Sequence, residues 1–157
     1  MKNKGFTLIE LLAVIVILAI IALIATPVIL GIIDDARTAT NERSAELVKA
    51  GVQNAYTSYL MKSNGTYPTA VWGNNGFMND TYFTVDGATL NTATSGSEAV
   101  ESGDVKCSVA VSGDTATITC TAKSGSGAVF PTDGTATDED VKAGKKRVYT
   151  FTAKTTS

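Results

Sequence analysis

The sequence predicts an α+β protein, a long N-terminal helix packed on a small antiparallel β-sheet. Three observations predict it. Leu11–Ile33 is a run of 23 residues without a charge. Beyond it, apolar residues recur at offsets of three and four as far as Tyr59. From Val105 onward the apolar period drops to two, the spacing of a strand with one face buried.

The uncharged run would form about 34 Å of helix, against a bilayer hydrocarbon core of roughly 30 Å. One carboxylate, Glu10, stands near its start. A charge in such a segment is costly, so it marks a functional position or a side chain that snorkels to the interface. After Asp34-Asp35, the residues Ala45, Val48, Val52, Ala55 and Tyr59 form an amphipathic stripe, with Arg37, Glu42, Arg43, Glu46 and Lys49 off it. Ser63-Asn64-Gly65, with Pro68 just beyond, supplies the stop. The spacing therefore predicts one helix from Thr7 to Met61, roughly 80 Å long at 1.5 Å per residue. Pro27 lacks a backbone donor and predicts a kink or local melting. Gly31 and Gly51 each weaken the helix by about 1 kcal/mol relative to alanine.

Lys2 and Lys4 precede the run and Asp34-Asp35 follow it. The positive-inside bias leaves the N-terminus cytoplasmic and the C-terminal part outside. Residues 34–157 carry 11 basic and 14 acidic side chains, a mildly acidic surface with no overall pull toward nucleic acid. A secretory signal peptide fits poorly. The run exceeds the usual apolar core, a glutamate stands at its start, and no clear small-x-small cleavage site follows before Asp34.

Gly113-Asp114 reads as the two-residue turn of a hairpin over Val105–Thr121. Ser112 then faces Thr115. One face carries Cys107, Val109, Val111, Ala116, Ile118 and Cys120; the other is lysine, serine, alanine and threonine. Arg147–Lys154 alternates similarly, with Tyr149, Phe151 and Ala153 inward. The pattern predicts three or four strands packed on the Val48–Tyr59 stripe. Residues 64–104 read as a loop-rich connection with a short strand near Tyr82–Val85. The hairpin register sets Cys107 directly opposite Cys120, where α-carbons approach about 4.5 Å. That spacing suits a disulfide in an oxidising exterior. The alternative is two buried free thiols.

Catalytic chemistry is poorly represented. The chain has no histidine, which removes Ser-His-Asp, Cys-His and zinc-histidine sites. No catalytic residue, metal or cofactor is expected. Asp133 with Asp138-Glu139-Asp140 could hold calcium, but EF-hand spacing is absent and a solvated acidic turn is favoured. Lys142, Lys145, Lys146 and Arg147 could meet DNA or a phospholipid head group. A solvated strand entrance is favoured, since no aromatic platform accompanies them. Asn64-Gly65-Thr66 and Asn79-Asp80-Thr81 are sequons of low specificity.

Gly5-Phe6-Thr7-Leu8-Ile9-Glu10, behind the short basic Met1-Lys2-Asn3-Lys4, resembles the processing site of type IV prepilins and pseudopilins. The resemblance covers about the first 30 residues, and Pro27 is similar to a proline that pilins carry along the apolar helix. It implies peptidase cleavage between Gly5 and Phe6, N-methylation of Phe6, and a role in assembly for Glu10 with the new Phe6 amine. It implies a leader (1–5) and a membrane or filament-core helix (6–33) but says little about residues 60–157; periodicity and composition divide the rest into an amphipathic continuation of the helix (34–63), the connection (64–104) and the sheet (105–157). The expected function is a non-enzymatic subunit of an extracellular type IV pilus, held in the cytoplasmic membrane as a precursor. The implied partners are further copies of the chain in a helical filament, the prepilin peptidase and its methyl donor, an assembly platform and motor ATPases. No specific nucleic acid is expected. The alternatives are a pseudopilin or minor pilin of a secretion or DNA-uptake system, and an anchored surface protein that never polymerises.

Overall fold

In the computed structural model, residues 5–73, 75–91, 98–123 and 130–152 are described. The chain falls into two compact units, Met1–Arg37 and Thr38–Ser157. Helix α1 runs from Leu8 to Lys62, within a residue of the span its periodicity predicts. Helical backbone is continuous through Pro27, so no local melting occurs there. The Thr26 hydroxyl beside it donates to the Ala22 carbonyl at 2.7 Å. The helix ends where the left-handed residues begin: Asn64 has φ 53° and Gly65 φ 81°. The Gly65 N–H closes on the Leu60 carbonyl at 2.8 Å, satisfying one of the carbonyls a helix end leaves open.

The second unit holds a five-stranded antiparallel sheet in the order β3-β4-β5-β6-β7. Its strands are Ala88–Asn91, Ala99–Ser102, Val105–Ser112, Thr115–Ala122 and Lys146–Thr152. A separate pair, β1 (Ala70–Trp72) and β2 (Gly76–Met78), runs parallel. The β5–β6 hairpin keeps the expected register, Ser112 against Thr115 through to Cys107 against Cys120. Gly113 alone of the two turn residues takes positive φ, 60°, as the first central position of a type II′ turn requires.

Two expectations are corrected. The sheet has five strands rather than three or four, because residues 64–104 supply β3 and β4 where a loop-rich connection was expected. Val100 pairs with Cys107 and is fully buried. No strand forms at Tyr82–Val85. There Phe83 enters the core and Val85 lies against α1 instead. Strand β7 pairs with β6 over Lys146–Thr152; Ala153 and Lys154, expected to continue it, lie outside the described residues.

The core sits between the outer half of α1 and the sheet. Ala45, Val48, Val52 and Ala55 are buried as the stripe predicts, joined by Tyr56 and Leu60. They pack with Val100, Val105, Cys107, Ile118, Cys120, Phe77, Met78, Phe83 and Phe130. Tyr56 is fully buried and anchors the hairpin turn, donating its hydroxyl to the Gly113 carbonyl at 2.8 Å. Three α1 residues spaced by seven meet alternate residues of β7. Glu42 pairs with Arg147 at 2.7 Å, Lys49 lies 5.0 Å over the Tyr149 ring, and Tyr56 meets Phe151 edge-on at 5.7 Å. Seven residues are about two helical turns and two residues one strand repeat, so one side of α1 tracks one face of β7.

Gly51 is a packing requirement rather than a weak point of the helix. A Cβ there would overlap Val85 Cγ2 and lie 2.7 Å from Phe83 Cε2. Alanine would gain about 1 kcal/mol of helix propensity but overpack a stiff valine and an aromatic ring, at roughly 1–3 kcal/mol. Packing wins. Gly51→Ala is expected to lower the melting temperature in detergent micelles, while Gly31→Ala, where a Cβ meets nothing within 4 Å, is expected to be neutral or stabilising. A melting temperature raised by Gly51→Ala would show that the 83–85 segment does not press on the helix.

Candidate functional site at the helix N-terminus

Residues 5–7 are outside the helix, which starts at Leu8. Thr7 is the residue that ends it. The Thr7 carbonyl accepts the first intrahelical bond, from the Leu11 N–H at 3.2 Å. Its hydroxyl oxygen accepts from the Glu10 N–H at 3.4 Å. In return, Glu10 Oε2 accepts from the Thr7 N–H at 2.9 Å and from the Thr7 hydroxyl at 2.7 Å. This is a capping box, in which cap and third helical residue satisfy each other's orphan donors. The sequence reading singles out Glu10 and misses Thr7, although Thr-x-x-Glu ahead of an apolar run is the signature of such a box.

A carboxylate has about four lone-pair sites, and among the described residues only Thr7 donates to Glu10, through Oε2. Gly5 and Phe6 are exposed, and a Cβ at Gly5 would meet nothing within 4 Å. Nothing among the described residues therefore demands glycine at position 5. Below the box, the side chains from Leu8 to Ile33 are nearly all exposed. The helix is long and apolar enough to cross a membrane, and none of its most apolar stretch is buried within the chain.

Residues 1–26 match the family described as the prokaryotic N-terminal methylation motif. The chain carries that methylation motif. No curated protein and no solved structure matches significantly. The motif supports a type IV pilin-like prepilin, anchored in the membrane as a precursor and cut by a prepilin peptidase. Gly5, Phe6, Thr7 and Glu10 all lie inside the matched residues; Met1–Lys4 lie outside the described ones. The long apolar helix near the N-terminus agrees with the motif.

The other candidate residues are engaged elsewhere. Asp138 caps the short helix α2 (Glu139–Lys142), accepting from the Asp140 and Val141 N–H groups, and pairs with Lys146 at 2.7 Å. The Lys146 ammonium, helped by those N–H groups, holds the Asp138 carboxyl below the usual carboxylate range. Hydrogen bonds from the Thr135 hydroxyl and N–H do the same for Asp133. The basic cluster is matched by carboxylates: Lys146 to Asp138, Arg147 to Glu42, and Lys142 and Lys145 to Glu139 and Asp140 at 3.9 Å. Its charge is thus largely balanced locally. Asn79 is occupied as well, donating to the Gly73 and Gly76 carbonyls and accepting from the Thr81 N–H.

Cys107 and Cys120 are joined in a disulfide with α-carbons 4.0 Å apart, both fully buried under α1.

Proposed function

We propose that the chain is the structural subunit of an extracellular type IV pilus, a homopolymer formed after cleavage at Gly5–Phe6 and methylation of Phe6. It has no catalytic role. The observation that carries the reading is a helix whose apolar half, Leu8–Ile33, is exposed along nearly its whole length, the one carboxylate of that half, Glu10, standing at the end where processing would create an amine. Such a surface is stable only in lipid or against other apolar surfaces. The precursor would use the first, a filament core the second. Thr7 bonds to Glu10 Oε2, and among the described residues no bond to Oε1 is recorded; this supports Glu10 as the partner of the Phe6 amine of its own chain or a neighbour. Assembly platform and motor ATPases follow from this reading, as does surface display of the sheet.

A pseudopilin or minor pilin shares the same N-terminal chemistry, so fibre abundance separates them. Electron microscopy of cells with and without the chain is expected to show long surface fibres that depend on it. A processed, membrane-resident chain in cells without such fibres would overturn the major-pilin reading and leave the pseudopilin, the minor pilin or an anchored protein that never polymerises.

A further inference from the structure

We infer that Thr7 is a positioning residue for leader removal: it stops α1 two residues short of the Gly5–Phe6 bond, so that the bond is offered as non-helical chain. The inference rests on the processing reading above and adds a residue to it. A peptide bond inside a helix has its N–H and carbonyl in the helical ladder, and a protease must first open it. Here the opening is built in. To run back over Phe6, the helix would need the Glu10 N–H for the Phe6 carbonyl four residues earlier. That N–H is instead spent on the Thr7 hydroxyl oxygen at 3.4 Å, and the Thr7 N–H and hydroxyl are tied to Glu10 Oε2 in the same box. Phe6 and Gly5 are left exposed outside the helix.

The surroundings sharpen the effect. Near lipid an unpaired N–H has no water to turn to, so a chain that loses its cap satisfies the freed groups by extending the helix. Valine at position 7 has the shape of threonine without the hydroxyl. It would let the helix run back over Phe6 and Gly5. Serine or aspartate at position 7 can cap as threonine does, and glutamine at position 10 preserves the reciprocal half of the box.

The test is cleavage of the full-length precursor, in membranes, by a prepilin peptidase, followed by mass. Thr7→Val is expected to be cut about fivefold more slowly, the factor that loss of a typical cap implies. Thr7→Ser, Thr7→Asp and Glu10→Gln should keep the wild-type rate, and Gly5→Leu should not be cut. Thr7→Val cut at the wild-type rate, or Thr7→Ser as slow as Thr7→Val, would overturn the role of the cap. Normal cutting of Gly5→Leu would instead overturn the processing reading itself.

Discussion

Glu10→Gln is expected to give a processed, membrane-resident subunit and few or no fibres. Cleavage would leave a cation on Phe6 at the edge of a low-dielectric region, where an unpaired charge is strongly disfavoured. Glu10 lies four residues along, and among the described residues only its Oε2 is bonded. Glutamine is the informative replacement because it separates two jobs that alanine would remove together. It retains the capping box with Thr7, hence the helix start and processing, and it abolishes the charge. Membrane insertion should be unimpaired, since removing a charge from the segment makes insertion easier. The missing pair recurs at every subunit, so a modest loss per contact is enough to stop fibre growth. Fibre counts by electron microscopy and intact mass of the membrane-resident subunit read the two effects separately. Normal fibres from Glu10→Gln as the sole subunit would show that Glu10 acts as a cap and not as a counter-charge.

The legible parts of the fold are those where one local rule dominates. The Val105–Ala122 hairpin follows from a two-residue glycine turn flanked by eight-residue alternating arms, and its register survives to the cysteine pair. Helix α1 follows from periodicity and from Asn64-Gly65 at its end. The strands of 64–104 do not, because β1 to β4 are three or four residues long, too short to establish a period. Their burial is set by the helix and hairpin they cover. Ala99 and Val100 are both buried although adjacent, where a single-faced strand would bury one. The α1–β7 contacts are hidden for another reason. Glu42 and Lys49 read as solvent-facing charges, and only the fold brings Arg147 and Tyr149 to them. At the candidate site the reverse holds. Thr7-x-x-Glu10 is a visible capping signature, but the processing motif occupies the same residues and draws attention to the glutamate alone.

Removing the disulfide is expected to lower stability by about 2 kcal/mol without abolishing the fold. The chain-entropy argument gives about 3 kcal/mol for a loop near 15 residues, and the bridge here spans a separation of 13. The figure should be smaller in this chain, because the glycine turn already draws β5 and β6 together in the unfolded ensemble. Cys107→Ala/Cys120→Ala is the suitable pair, since both side chains are fully buried and serine would place hydroxyls in an apolar core. The sheet would still bury Val105, Val109 and Ile118 against Val48, Val52 and Tyr56. Two measurements check the argument. Intact mass of the mature chain, taken from fibres alkylated without reductant, should be two hydrogens light, as oxidation outside the cytoplasm requires. Urea unfolding should show a lower midpoint with a single cooperative transition. Alkylated thiols at Cys107 and Cys120 would show that the bridge does not form in the mature chain, whereas loss of the cooperative transition would show that the hairpin depends on its staple.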